Sequence, residues 1–136
     1  YLKKACGTSR FAYNWGLARW KALRDVGEKP TWIKINNELN FVKREQFPWM
    51  LDVTKWAPAQ AIRDLGNAFS ALFKRNSSFP KFKKRGEDDS FYINGENGLR
   101  ISRQRHVTIP KLVGSIRMAQ DVRIPGFDEA GIKQLC

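Results

Sequence analysis

The sequence has few of the side chains that bind soft metals. It contains two cysteines, Cys6 and Cys136, and a single histidine, His106. These residues are far apart and form no CxxC spacing, which argues against a zinc finger and against a disulfide framework. We interpret Cys6 as a small apolar residue on a helix face. His106 is interpreted as a packed or surface histidine rather than a ligand.

Long apolar runs are also absent. No stretch approaches the roughly 20 apolar residues that a bilayer-spanning helix needs, and the amino end shows no signal-peptide pattern. We therefore expect a cytoplasmic protein with no membrane partner and no small-molecule substrate. The hydrophobic content is nevertheless 42%, with five Trp and nine Phe, so a hydrophobic core is expected rather than global disorder.

Basic residues outnumber acidic ones, and many of them are concentrated in one segment of the chain. The chain has 25 basic and 13 acidic side chains and a net charge of +12, which favours nucleic acid as a partner. We call residues 74–91 the basic segment. Its first twelve residues contain no acid, and they include Lys74, Arg75, Lys81, Lys83, Lys84 and Arg85, with Phe79 and Phe82 among them. These cations can neutralise phosphates, and the two rings either stack on unpaired bases or pack against the protein. The alternative is a solvated basic linker whose two Phe side chains are buried in a core.

The carboxylates are not arranged for metal-dependent catalysis. Asp88 and Asp89 are adjacent, so on a strand they point to opposite faces, and Glu87 belongs to the same turn. Capping, or charge balance for the basic segment, is the role we predict for them. Neither a phosphate-binding GxxxxGK[ST] loop nor a serine triad is present. We predict no catalytic residues, no metal site, no cofactor and no intrinsic catalysis.

The first part of the chain is patterned as helices. Leu2 to about Val26 contains no proline and has a broad apolar stripe, so we expect a helix packed on more than one side. Thr31 is predicted to cap a second helix, and Phe47 to Asp52 a short turn. Thr54 is predicted to cap a third helix, with Pro58 in or near its first turn. The third helix has the clearest amphipathic spacing, formed by Ile62, Leu65, Phe69, Leu72 and Phe73.

The pattern then changes to short strands. We predict a strand at Ser90 to Ile93 that runs into an Asn/Gly-rich turn at 94–98. Three more strands are predicted at 99–102, 106–109 and 114–118, with Arg103 and Gln104 at a hairpin tip. From Pro125 onward the alternation is lost, which indicates a loop or a cut end rather than a completed element. The predicted fold class is α+β: a helical, helix-turn-helix-like segment at 1–86, followed by a segment of short antiparallel strands at 87–136.

Several short motifs follow one another in a specific order along residues 1 to about 120. They are GTSRFAYNW at 7–15, Pro48-Trp49, AQAIRDL at 59–65, Phe69 with Leu72-Phe73, FPKFKK at 79–84, Asp89 to Phe91, and IPKL at 109–112. In this order they resemble the amino-terminal region of TnpB proteins, the OrfB transposase family of insertion sequences, which is related to the type V CRISPR nucleases. The resemblance implies a protein of a mobile element that takes part in transposition and DNA recombination.

What the resemblance implies is an RNA-guided DNA endonuclease in its full-length form. A helical recognition segment is inserted into a β-barrel wedge domain, and together they hold the guide RNA and read a short motif beside the target. By this resemblance, residues 87–136 correspond to a small, incomplete portion of the antiparallel β-barrel. The implied partners are therefore guide RNA and double-stranded DNA. The RuvC-like nuclease domain lies further along, beyond this sequence, and Mg²⁺ is expected only for that domain. We interpret the chain as truncated and expect no cleavage by it alone.

Four residues correspond by position to those that read the DNA motif in the family. Trp32 and Asn36 match a pair on the second helix, and Lys55 and Trp56 match a pair at the start of the third. Asn can pair with adenine, and Lys can donate to guanine or to phosphate. Where the family commonly has a glutamine, one turn after the second pair, this chain has Ala59. The sequence of the DNA motif is therefore not predicted. The alternatives are core packing for both tryptophans and a solvated surface for Asn36 and Lys55.

The phosphate-backbone candidates are cations of the first helix, the basic segment and the hairpin. They are Arg10, Lys74, Arg75, Lys81, Lys83, Lys84, Arg85, Arg100, Arg103 and Arg105. Such contacts position a nucleic acid without specifying its sequence. Arg10 could instead be a structural ion-pair partner. Two other functions stay open: a stand-alone helix-turn-helix DNA-binding protein, and an inert scaffold derived from a broken transposon.

Overall fold

The fold is described from a computed structural model of the chain, for residues 1–75, 77–94, 100–101, 105–112, 114–118 and 134–135. In these ranges the helices are α1 (Leu2–Asp25), α2 (Trp32–Gln46), a 3-10 helix (Pro48–Asp52) and α3 (Trp56–Arg75). The strands are β1 (Ile93–Asn94), β2 (Arg100–Ile101), β3 (His106–Thr108), β4 (Ile116–Arg117) and β5 (Gln134–Leu135). The predicted α+β class, with helices before antiparallel strands, is confirmed.

Local capping signals fix the helix starts where the sequence predicts them. The Thr31 hydroxyl accepts a hydrogen bond from the Lys34 N–H at 3.2 Å and caps α2. The Thr54 hydroxyl accepts from the Trp56 N–H at 3.3 Å, at the start of α3. Pro58 lies in the first turn of α3, where a missing N–H costs no helical hydrogen bond.

The core lies where the three helices meet. Gly16 of α1 sits at this junction, because a Cβ added there would lie 2.7 Å from Ile62 Cδ1, 3.1 Å from Leu65 Cδ2 and 3.5 Å from Ile35 Cγ2. Trp20 stacks on Phe69, with ring centroids 4.3 Å apart and an interplanar angle of 6°. The buried cluster consists of Ala12, Tyr13, Leu17, Trp20, Leu23, Ile35, Leu39, Met50, Ala61, Ile62, Leu65 and Phe69. None of the helices in the described ranges combines the length and hydrophobicity that crossing a bilayer requires.

The described strands form two small antiparallel sheets. One pairs β1 with β5, with Ile93 opposite Leu135, and the other has the order β2-β3-β4. The predicted loop from Pro125 onward is therefore wrong at its end, where Gln134–Leu135 pairs with β1. A two-residue strand is too short to show alternation, and its partner is distant in sequence.

The other strand predictions are confirmed in position but not in length. Ser90 to Tyr92 are not in a strand, and β1 begins only at Ile93. β3 ends at Thr108 and β4 is limited to Ile116–Arg117. Asn94, predicted to begin the turn at 94–98, lies in β1 instead. The rest of that turn and the hairpin tip with Arg103 and Gln104 lie outside the described residues.

Tyr1 connects the β part to the helices. Its hydroxyl donates to the Pro110 carbonyl oxygen at 2.8 Å and accepts from the Thr54 N–H at 3.0 Å. Its ring meets Phe91 edge-on, with centroids 6.5 Å apart, beside a small core of Ile93, Val107 and Ile109. Burial raises the pKa of the Tyr1 phenol, and the Thr54 hydrogen bond opposes that shift.

Candidate nucleic-acid interface

The basic segment runs along α1 and is fixed to it. The Asn14 side chain donates through Nδ2 to the Lys83 carbonyl oxygen at 2.9 Å and accepts through Oδ1 from the Lys83 N–H at 2.8 Å. Pro80 is buried. Because these hydrogen bonds use only the Lys83 backbone, its side chain stays available. The segment is therefore docked on the helices rather than being a free linker.

A second attachment lies at the acidic end of the segment. Arg10 Nη1 is 2.6 Å from Asp89 Oδ1, and the Gly86 N–H donates to Asp89 Oδ2 at 3.1 Å. Gly86 has a φ of +82°, a conformation that glycine adopts without strain. The ion pair named as the alternative role of Arg10 is present. Asp89 thus pairs with a cation of α1, and charge balance for the basic segment stays a prediction. Any phosphate contact by Arg10 has to compete with Asp89.

The cations of the docked segment face solvent. The exposed residues are Lys74, Arg75, Lys81, Lys83, Lys84 and Arg85. The Lys83 ammonium lies 4.6 Å from the centre of the Tyr13 ring, a cation–π contact. In the β part, Arg100 and Arg105 are also exposed, whereas Arg103 lies outside the described residues. Exposed cations on a fixed backbone suit the neutralisation of phosphates.

Phe79 and Phe82 pack against the helical part but stay partly exposed. Phe79 meets Phe69 edge-on, with centroids 5.4 Å apart. The Lys21 ammonium lies 5.4 Å from the centre of Phe79 and 4.8 Å from that of Phe82. The rings are 42% and 51% exposed, respectively. The packing predicted as one of their two uses is thus present, and ring surface remains for a ligand.

Trp32 is held between α2 and α3. A Cβ added at Gly66 would lie 2.7 Å from the Trp32 Cβ and 3.0 Å from its Cγ, so the glycine permits the close approach. The Arg63 guanidinium lies 5.7 Å from the centre of the Trp32 ring. This geometry fits the packing alternative for Trp32. Asn36, one turn later on α2, is half-buried.

Lys55 and Trp56 lie at the amino end of α3. Lys55 is exposed, with its ammonium 5.3 Å from the centre of the Trp56 ring. Trp56 precedes Gly66 by ten positions, or about 15 Å of helix. The point on α3 where Trp32 packs is therefore separated from Trp56 by that length of helix. Among the described residues, the buried Trp56 Nε1 has no hydrogen-bond partner.

Two further cations, Lys43 and Lys111, are near Lys55 and were not among the residues predicted from the sequence. Lys111 donates to the Leu51 carbonyl oxygen at 2.7 Å, which brings it next to the 3-10 helix. Burial lowers the pKa of Lys43, and the charges of Arg44, Lys111 and Lys55 lower it further. These cations come from separate parts of the chain, so sequence spacing does not reveal the cluster. The only sequence signal was the IPKL motif, which contains Lys111.

Within the ranges that the structure describes, no group of three or more His, Cys, Asp or Glu side chains could hold a metal ion. Cys6 is half-buried on α1 and free. The absence of a metal site, of a cofactor and of catalysis stays a prediction.

The helical part, its docked cationic segment and the net charge of +12 are features that favour a nucleic-acid-binding protein. Comparison with known proteins makes this more specific. Residues 1–29, which cover α1 and the turn after it, match the helix-turn-helix domain of the IS605 OrfB family. The resemblance to the transposase family of mobile elements predicted from the motifs is confirmed, and it supports a DNA-binding fragment.

A curated relative covers nearly the whole chain. In an alignment of 133 positions that covers 92% of this chain, the sequence is 25% identical to a protein of Escherichia coli strain K12 named "Putative RNA-guided DNA endonuclease InsQ". The chain spans 31% of the length of that relative. The similarity therefore extends beyond the helix-turn-helix match, through the basic segment and into the β part.

Proposed function

We propose that this chain is the nucleic-acid-holding part of a TnpB-like RNA-guided DNA endonuclease. It binds guide RNA and target-adjacent double-stranded DNA in the cytoplasm, and it does not cleave DNA by itself. The observation that carries the proposal is the basic segment, whose backbone is fixed to α1 by Asn14 while its cations stay exposed. The similarity to InsQ, whose name describes an RNA-guided DNA endonuclease, supports the choice of nucleic acid and of reaction.

In this proposal the DNA motif is read at α2 and at the start of α3. Asn36 pairs with an adenine edge, and Lys55 contacts guanine or phosphate, with Trp32 and Trp56 beside them. The first turn of α3 contains no acid, so the helix dipole favours an anion near Lys55. Because Trp32 is packed on Gly66, it supports the position of Asn36 and contacts DNA only with the ring surface that stays exposed.

The phosphates of the guide RNA are bound by the exposed cations of the basic segment, together with Arg100, Arg103 and Arg105. Arg10 contributes where a phosphate displaces Asp89 from its guanidinium. These contacts hold the backbone and leave sequence selection to base pairing by the guide RNA.

The test is a double charge reversal, Lys83→Glu with Lys84→Glu. RNA affinity should fall for all sequences alike, and the slope of log affinity against log salt should decrease by at least about 2, since each lost phosphate contact removes about one unit. Lys3→Glu with Lys29→Glu is the matched control, because both lysines are exposed and lie outside the segment. An unchanged slope in the test variant, or an equal change in the control, would remove the segment from the interface.

The second candidate function is a stand-alone helix-turn-helix DNA-binding protein, which the match over residues 1–29 favours. The two functions differ in ligand preference. Titrations of the transposon-end RNA and of duplex DNA between about 50 and 200 mM salt separate them. Tighter RNA binding supports the first function, and binding to duplex DNA alone supports the second. Equal, purely salt-driven binding to any polyanion contradicts both.

A further inference from the structure

Three exposed phenylalanines and two cations form a surface where α1 and α3 end. Phe73 is 64% exposed, Phe82 51% and Phe79 42%, and they surround Lys21 and Arg24 of α1. We call these five residues the aromatic face. Exposed apolar side chains rimmed by charge are typical of a binding surface.

The cations of α1 sit against the rings. Lys21 contacts both Phe79 and Phe82, and the Arg24 guanidinium lies 5.4 Å from the centre of Phe73. Such cation–π contacts fix the ring orientation and keep the charges at the surface. Asp25 is the neighbouring acid on α1, and the basic Lys74 and Arg75 that follow Phe73 outweigh it. The aromatic face is therefore positively charged.

The rings are backed by the core. Phe69 is 1% exposed and stacks on Trp20. From the other side it contacts Phe73, at a centroid distance of 6.4 Å and an interplanar angle of 26°, and Phe79 edge-on. Phe73 and Phe79 are therefore already held in place by Phe69 before a ligand binds. Binding then loses little side-chain conformational entropy at these rings.

We propose that the aromatic face binds unpaired nucleotides, with bases stacked on Phe73 and Phe82 and phosphates beside Lys21 and Arg24. Base faces are accessible only where a strand is unpaired, because a duplex presents just its groove edges and its backbone. Exposed rings cannot stack on the bases of an intact duplex. On a single strand, each ring can stack on a base of any identity. This proposal rests on the proposed nucleic-acid function and assigns it a single-stranded component.

The test compares one probe of each kind on the intact chain. The single-stranded probe is an oligothymidine of about 12 nucleotides with one 2-aminopurine, and the other is a blunt-ended duplex without unpaired nucleotides. Phe73→Ala with Phe82→Ala should weaken oligothymidine binding by roughly fivefold or more and leave duplex binding within about twofold. The 2-aminopurine fluorescence change that reports stacking should be lost in the same variant.

Phe41→Ala is the matched control, because Phe41 is 86% exposed on α2, away from the aromatic face. It should bind both probes like the parent chain, and unchanged far-UV circular dichroism establishes that each variant is folded. Equal weakening on the two probes, or oligothymidine binding that the double variant retains, would overturn the proposal. A parent chain that binds neither probe would instead overturn the proposed function, so the two failures are distinguishable.

Discussion

The helical and β parts of this chain differ in how they are stabilised. The helices enclose a continuous core, centred on Phe69 and Leu65, that draws side chains from α1, α2 and α3. The described core of the β part consists of Ile93, Val107 and Ile109, and its described strands are two or three residues long. Strands this short are not independently stable, so the β part depends on what it docks against. The helical part is expected to behave as the scaffold and the β part as its dependent neighbour.

The largest expected effect is at the centre of the scaffold. Phe69→Ala should lower the free energy of unfolding by about 3–5 kcal/mol, because it leaves a cavity under Trp20 and the aromatic face. Ile93→Ala in the small β core should cost less, near the lower end of the range of about 2–5 kcal/mol for such truncations. Urea denaturation measures both variants. If the two variants lost similar stability, the scaffold interpretation would be wrong.

Glycine substitutions sharpen the comparison inside the scaffold. Gly66→Ala should destabilise, since its Cβ meets the stem of Trp32, and overpacking costs about 1–3 kcal/mol against a helix-propensity gain of about 1 kcal/mol. Gly16→Ala is the matched control, because its nearest neighbour is the flexible Ile62 Cδ1. It should cost less in the same denaturation experiment. A Gly66→Ala variant as stable as the parent would show that Trp32 moves freely.

The Tyr1 hydroxyl connects the two parts through two hydrogen bonds. Tyr1→Phe keeps the ring against Phe91 but removes both hydrogen bonds of the hydroxyl, to Pro110 and from Thr54, at a cost of about 1 kcal/mol. Amide hydrogen exchange should accelerate in β3 and β4 more than in α3. Uniform acceleration along the chain would contradict a local connection.

The same hydroxyl gives a pH dependence. Burial raises the pKa of Tyr1 in the folded chain, so its stabilising contribution is complete below the ordinary value of about 10 and is lost as pH rises through the folded value. Tyr13 behaves alike, because burial and then the nearby Asp64 raise its pKa. Stability should therefore fall above about pH 10. Above about pH 10, the free energy of unfolding should decrease less in the Tyr1→Phe variant than in the parent chain. Urea denaturation at several pH values measures the difference.

Local signals made the scaffold predictable, and distant contacts limited prediction elsewhere. Thr31 and Thr54 cap helices through residues two or three positions away, so their effect can be inferred from sequence. β5 could not be inferred, because Gln134–Leu135 becomes a strand only by pairing with β1. The basic segment was evident from charge density, but Asn14, which fixes it, resembles any polar residue on a helix. Lys43 was missed for the same reason, since its neighbouring cations come from other elements.

The smallest expected effect concerns the attachment of the basic segment between the two parts. Asp89→Asn removes the charge opposite Arg10 but can keep the hydrogen bond from Gly86, so stability should fall by no more than about 1 kcal/mol. Glu38→Gln, which weakens the exposed Arg19–Glu38 pair, is the matched control of equal charge change. Because Asp89→Asn also releases Arg10 for phosphate, RNA affinity should rise more than in Glu38→Gln. Equal affinity in the two variants would mean that Arg10 serves only the fold, and that the segment binds phosphate without help from α1.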